Sequence, residues 1–460
     1  MHAPQAWRAA AAAAAEARRD FANVEAADLY RAALDAHALD PSGTREERYD
    51  LLLSFAEAAA WAAKWRPVVE AVVEAVALAS TENDPERVAH AAAALTRYSV
   101  WTPQEYDEVD EDLIDDLRSA LRGLDTHDSP VRCVLMLALA VQLYYRAGSE
   151  PEILALVDEG TAVARRIGDP ALRGWAARTG WIALWRSAHL DRRRELAVEE
   201  LAAARESGNE AAEALAHTAL AGTGIEAGDL ETWLSASAAA VDIARRRRLT
   251  YVEYALRFVL FNLSLLADDD DAADDHADAM RTMREGMATP AMEWNEFGVI
   301  YATASWRTGA AEPLARGMLD FFNATPHDLG RTPLLHVLAL AGLEHELRTE
   351  LDKAPLRPLT DNWYLTSEAS VRAVIAGFLG DEALARRSVE HLRPLSGRLA
   401  VSGISIVSGP IDGYLAIALA VLDERSEASA FAGRAESLAT RWGMTAYLRW
   451  FAGQRARMAF

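Results

Sequence analysis

A helical pattern with a period of roughly 40 residues is the feature that most constrains how this chain can fold. The segments ARRIGD, ARESGN and ARRRRL begin at Ala164, Ala204 and Ala244, so the same pattern returns at a constant interval. Apolar residues recur around them at the three- and four-residue spacing of amphipathic helices. The sequence therefore predicts a repeated helical unit.

Breaks between these units have the composition of helix starts. They recur at nearly the same interval, and in each a capping residue precedes a proline, at 84–85, 128–130 and 169–170. A second turn falls inside each repeat, at Gly148, near Asp191, and at Gly228, Gly309, Gly342 and Gly380. Two turns per period indicate that each repeat is a pair of helices.

Helix pairs that repeat every roughly 34 to 45 residues are typical of tetratricopeptide-like arrays. We predict an all-α, tetratricopeptide-like α-solenoid: a right-handed superhelix of eleven or so antiparallel helix pairs, with the first helix of each pair on the concave face. We expect one continuous array over residues 1–460, with N-terminal repeats at 1–128, central repeats at 129–345 and C-terminal repeats at 346–460.

One segment departs from the helical pattern. GRLAVSGISIVSGP, residues 397–410, is rich in β-branched residues and ends at a proline before the next helix. We interpret residues 395–410 as an extended crossover loop inside the array and not as a sheet.

Composition narrows the possible partners. The formal charge of −22 argues against direct nucleic-acid binding, because phosphate contacts require clustered lysine and arginine. The single cysteine, Cys133, cannot form an internal disulfide, which fits a reducing cytoplasm. No apolar stretch approaches the roughly 18 residues of a membrane span. We therefore expect a cytoplasmic protein that is not bound to a membrane.

An aspartate-rich run is the clearest candidate for chemistry. Seven carboxylates lie between Asp268 and Asp278, where the period predicts a turn followed by the first turn of a helix. Carboxylates suit the positive end of a helix dipole, so we interpret the run as structural. The alternative is a magnesium site of the D-D-x-x-D type on Asp270, Asp271 and Asp274, as in helical isoprenoid enzymes. We predict no catalytic centre, no metal and no cofactor.

Aromatic stripes on the presumed inner helices are the candidate binding residues. They comprise Arg178, Trp181, Trp185, Tyr254, Arg257, Trp294, Asn295 and Tyr301. Stacked aromatics with interspersed arginines suit a small-molecule or peptide guest that carries an anionic group. The alternative is that these aromatic side chains only pack one helix pair against the next.

Three segments resemble a known family. DNWYLTSEASVRAVIAGFLG and its continuation to residue 443, VRCVLMLALAVQLYYRAGSEPE at 131–152 and ARRIGDPALRGWAARTGWIALWR at 164–186 are similar to the helical sensor region of large actinobacterial regulators. That family couples a nucleoside triphosphatase to MalT-like tetratricopeptide repeats, and many members add a LuxR-type DNA-binding domain. The resemblance covers roughly residues 10–455.

The resemblance implies a non-catalytic region of a transcriptional regulator that senses a small-molecule or peptide effector, or a partner protein. The chain has no G-x-x-x-x-G-K-[ST] loop, and no helix-turn-helix follows RWFAGQRARMAF. We therefore expect an isolated sensor region or a stand-alone relative. A protein-interaction scaffold and a magnesium-dependent enzyme remain the alternatives.

Overall fold

The fold is a curved array of paired helices. The computed structural model describes residues 3–20, 22–97, 99, 101–284 and 292–460. The first twelve helices are α1 (Ala3–Arg19), α2 (Asn23–Ala38), α3 (Arg45–Trp61), α4 (Trp65–Thr81), α5 (Pro85–Arg97), α6 (Glu111–Arg122), α7 (Pro130–Gln142), α8 (Glu150–Ile167), α9 (Pro170–Ala183), α10 (Leu190–Glu206), α11 (Glu210–Ala227) and α12 (Leu230–Arg247).

The remaining elements continue the pattern and add one pair of strands. They are α13 (Thr250–Ala267), α14 (Asp270–Arg284), α15 (Met292–Trp306), α16 (Ala311–Ala324), α17 (Asp328–Leu340), α18 (Glu344–Lys353), α19 (Leu365–Leu379), α20 (Glu382–Leu392), β1 (Leu399–Ser402), β2 (Ile406–Pro410), α21 (Ile411–Val421), α22 (Arg425–Arg441) and α23 (Thr445–Met458). None of the helices in the described ranges is long and apolar enough to cross a lipid bilayer.

The all-α repeat fold predicted from the sequence is confirmed. Helices α8, α10, α12 and α14 begin at Glu150, Leu190, Leu230 and Asp270, so their starts are evenly spaced along the chain. The last turns of α8, α10 and α12 contain the buried alanines that mark the period in the sequence, Ala164, Ala204 and Ala244. A small side chain at this position lets α8, α10 and α12 each approach their neighbouring helices closely.

Local capping fixes where the helices begin and end. The Asp169 carboxylate accepts a hydrogen bond from Leu172 N at 2.8 Å, at the start of α9. Gly228 ends α11 with a φ of 71°, a left-handed conformation that glycine adopts without a Cβ penalty. These caps satisfy backbone groups at the helix ends, as the sequence breaks predicted.

The prediction of an extended loop at 395–410, and not a sheet, is wrong. Strands β1 and β2 form an antiparallel hairpin in which Val401 pairs with Val407 and Ser402 with Ile406. Almost the whole hairpin is buried, so its backbone polar groups need partners. The strands satisfy each other, and Thr366 of α19 adds two bonds: its Oγ1 donates to Val401 O at 2.8 Å and accepts from Val401 N at 2.9 Å.

This hairpin lies inside the curve of the array. A Cβ added at Gly222 of α11 would lie 3.0 Å from Ile404 Cγ1, so helix and hairpin tip are in close contact. Asn262 of α13 donates a hydrogen bond to Ser405 O at 3.2 Å. On the rim, Arg449 of α23 pairs with Asp268 at 2.7 Å, which joins the last helix to the central repeats. The array therefore curls around a core that its own hairpin fills.

Candidate ligand-binding cavity

One aromatic cavity lies beside the hairpin. Its volume, measured as the space open to the centre of a water-sized sphere, is about 140 Å³. Its walls come from the start of α4, the segment between α5 and α6, helices α13, α15 and α17, and the start of α19, while Ser402 to Ile406 supply one face. Eleven aromatic side chains of the described residues line it: Trp65, Trp101, Tyr106, Tyr145, Tyr251, Tyr254, Phe258, Phe297, Tyr301, Trp363 and Tyr364.

Edge-to-face contacts hold several rings of the lining. The Trp101 ring lies 5.6 Å from that of Trp363, and the Tyr106 ring lies 5.8 Å from both Trp363 and Tyr145. Trp363 Nε1 donates a hydrogen bond to Tyr145 Oη at 2.7 Å. Because these contacts fix the ring orientations, the cavity is preformed and not a gap between loose side chains.

Charged groups are scarce in the lining. Among the described residues that line the cavity, Glu105 is the one charged side chain, and Arg66 pairs with it at 3.0 Å. Behind the wall, Tyr301 Oη lies 3.0 Å from His336 Nδ1. Burial lowers the pKa of His336 to about 3, so this imidazole is neutral at physiological pH.

Two polar atoms of the lining have no hydrogen-bond partner within the described chain. Trp65 Nε1 is a buried donor, and Gln104 Oε1 is a buried acceptor. Gln104 Nε2 donates to Val141 O at 2.5 Å, which orients the amide. An unsatisfied buried polar group costs free energy, so a guest or a water that bonds to either atom would be favoured.

The structure brings two of the predicted site residues into this cavity, Tyr254 and Tyr301. Trp185 lies behind the wall, with its ring 5.3 Å from that of Trp101 and 4.5 Å from that of Trp181. Trp181 is fully buried. The side chains of Trp294 and Asn295 lie outside the described part of the structure.

The two predicted arginines are held by carboxylates elsewhere. Arg178 pairs with Glu200 at 2.8 Å, and the two side chains are each 2% exposed. Arg257 pairs with Glu253 at 3.0 Å and approaches His276 of α14. Neither arginine lines the aromatic cavity, so the expected combination of aromatics and arginines does not occur there.

The aspartate run forms the predicted turn and helix start. Asp268 follows α13 with a φ of 67°, and Asp269 caps α14 by accepting from Ala272 N at 3.1 Å. Arg307 pairs with both Asp270 and Asp274, at 3.0 and 2.7 Å, whereas Asp271 is exposed. Within the described ranges, no group of three or more His, Cys, Asp or Glu residues is arranged to hold a metal ion.

Sequence reasoning missed several residues that line the cavity. WTPQEY at 101–106 and DNWY at 361–364 are short segments between helices, and the helical period says nothing about where their side chains point. The density of aromatic residues there, beside a proline or an asparagine, is the signal that could have identified them. Connecting segments often carry binding residues.

Comparison with known proteins adds little to this geometry. No protein-family model and no curated protein matches the chain. A solved structure described as a "circular tandem repeat protein with novel repeat topology and enhanced subunit contact surfaces" is similar at 14% identity, over 99% of this chain and 91% of that one, with a TM-score of 0.19. Such a low TM-score supports no inference about function.

Proposed function

We propose that this chain is a non-catalytic, ligand-sensing helical-repeat module. Its ligand is a small molecule with a large apolar or aromatic surface, and it binds in the cavity beside the hairpin. The observation that carries the proposal is the convergence of eleven aromatic side chains from separate repeats on one preformed space. Binding sites for small molecules are concave, mostly apolar and few per protein.

The position of the cavity explains how binding would be sensed. Its walls come from α4 in the N-terminal repeats, α13 in the central repeats and α19 in the C-terminal repeats. A ligand that contacts all three would favour one curvature of the array over others. A partner protein that binds one curvature of the array more tightly than another would therefore respond to the ligand. The resemblance to regulator sensor regions adds the proposal that the partner is part of a transcriptional regulator.

A cavity-filling substitution tests the proposal. Ala255 of α13 lines the cavity, and Ala267 at the end of the same helix is exposed. The neutral fluorophore N-phenyl-1-naphthylamine should bind the wild type saturably with enhanced emission. Ala255→Phe should weaken this binding by about tenfold or more, because the new ring occupies the space. Ala267→Phe is the matched control and should bind like the wild type.

Circular dichroism must show that both variants keep the wild-type helix content. Equal binding by a folded Ala255→Phe variant would move the site elsewhere. Absence of any saturable binding to the wild type would contradict the sensing role and favour the alternative of a stand-alone protein-interaction scaffold.

A further inference from the structure

We propose that the ligand of this cavity is an organic cation, an ammonium group that carries an aromatic or branched alkyl substituent. The inference rests on the proposed function and specifies its ligand class. It depends on three features of the described residues: the rings of the lining, the absence of fixed positive charge in it, and an acidic cleft that adjoins the cavity.

Ring faces are the first feature. The Trp363 ring stands edge to face with the rings of Trp101 and Tyr106, at centroid distances of 5.6 and 5.8 Å. These rings are inclined to each other by 68° and 81°, so the lining presents aromatic rings in more than one plane. The face of an aromatic ring carries partial negative charge, and several faces around one point attract a cation, most of all one that is weakly hydrated.

The absence of positive charge in the lining is the second feature. No lysine, arginine or histidine is among the described residues that form it. Two arginines near its tyrosines are already paired: Arg357, close to Tyr106, with Asp107 and Asp328, and Arg284, close to Tyr254, with Glu296 at 3.0 Å. An anionic guest would therefore have no cation to pair with, and desolvating it would be costly.

An acidic cleft is the third feature. It shares Pro103, Gln104 and Glu105 with the cavity, so the two spaces adjoin across this segment. Six carboxylate residues line the cleft against one arginine, Arg66: Glu70, Glu105, Glu108, Asp110, Glu111 and Asp112. Glu70, Glu108 and Asp112 have no ion-pair partner within the described residues.

The cleft and the cavity have complementary roles for such a ligand. A cleft lined by one sign of charge concentrates ions of the opposite sign and speeds their association. The aromatic cavity then receives the cation and its apolar substituent, and Gln104 Oε1 adds an unpartnered oxygen with partial negative charge to the shared wall. A neutral apolar molecule would use the cavity but gain nothing from the cleft.

A series of three probes of similar shape tests this inference on the full chain. Benzyltrimethylammonium is the cation, neopentylbenzene is its neutral isostere, and phenylmethanesulfonate is the anion. Displacement of N-phenyl-1-naphthylamine gives the affinity of each. We expect the cation to bind about tenfold more tightly than the neutral isostere and the anion to bind weakest. Higher salt should weaken binding of the cation alone.

Two variants separate the contributions of charge and rings. Glu105→Gln should lower the affinity for the cation about three- to tenfold and leave the neutral isostere unchanged, whereas Glu312→Gln, an exposed substitution on α16, should change neither. Tyr106→Leu keeps an apolar wall without a ring face and should also weaken the cation selectively.

The outcomes distinguish the two proposals. If the neutral isostere or the anion binds as tightly as the cation, the cation inference is overturned while the cavity remains a binding site. If none of the three displaces the fluorophore, and the fluorophore itself does not bind saturably, both proposals fail. Selective loss of cation affinity in Glu105→Gln or Tyr106→Leu supports the inference; equal loss for both probes overturns it.

Discussion

Replacing Arg178 with methionine should destabilise the central repeats by about 3–5 kcal/mol at pH 8, and by about 1 kcal/mol less at pH 5.5. Arg178 of α9 and Glu200 of α10 are 2.8 Å apart, and each is 2% exposed. Removing one partner of a buried ion pair leaves the other charge uncompensated, and such losses are typically of this size.

The pH dependence follows from the carboxyl group. Burial raises the pKa of Glu200 from 4.5 to about 7, although Arg178 opposes the shift. Because the pKa of Glu200 is higher in the folded state, its contribution to stability is fully present below pH 4.5. That contribution falls as the pH rises from 4.5 and is lost as the pH passes through about 7. The shift corresponds to about 3 kcal/mol. At pH 5.5 the buried carboxyl is protonated in the folded state, so the attraction between the two charges is absent and the loss in Arg178→Met should be smaller than at pH 8 by about 1.4 kcal/mol.

Urea denaturation followed by circular dichroism at both pH values measures the effect. The double variant Arg178→Met, Glu200→Leu should recover most of the loss at pH 8, because an apolar pair leaves no buried charge. A loss in Arg178→Met that is equal at pH 5.5 and pH 8 would refute the reasoning. So would a double variant no more stable than the single one.

Four further predictions concern packing and the aspartate run. Trp185→Ala should cost about 3–5 kcal/mol in urea denaturation, since the ring is buried between two other tryptophans. Gly409→Ala should lower the melting temperature, because φ is +100° and the new Cβ would lie 2.5 Å from Tyr447 Cδ2. Asp270→Ala should change the free energy of unfolding by less than about 1 kcal/mol, because its pair with Arg307 is exposed. Calorimetric titration of the wild type with Mg²⁺ should detect no specific site there.

The sequence was sufficient to predict the array because the period is local. Ala164, Ala204 and Ala244 mark equivalent turns, and the caps around them act within a few residues of the chain. Such short-range rules need no knowledge of which repeats meet in space. The positions of the turns at Gly228 and at the aspartate run followed for the same reason.

The cavity and the hairpin depend on contacts that a local rule does not contain. Residues 399–402 and 406–410 pair as strands because burial inside the curve leaves their backbone groups without water, and that burial is decided by α11, α13 and α19. Tyr254 lines the cavity while Arg257, three residues later, pairs with Glu253. The sequence placed both on one stripe, but only the curvature of the array determines which of them faces inward.

The hairpin also determines when the inner faces of α11 and α13 become covered during synthesis of the protein. In a solenoid whose repeats touch only their neighbours, each helix pair can pack as soon as the next one emerges. Here the hydrogen bond from Asn262 to Ser405 O can form only after a further 143 residues have been synthesised. At roughly 5–20 residues per second, the inner faces of α11 and α13 stay uncovered for on the order of ten seconds. During that interval the growing chain exposes the apolar residues of these faces to water, and transiently exposed apolar surface of this kind promotes aggregation.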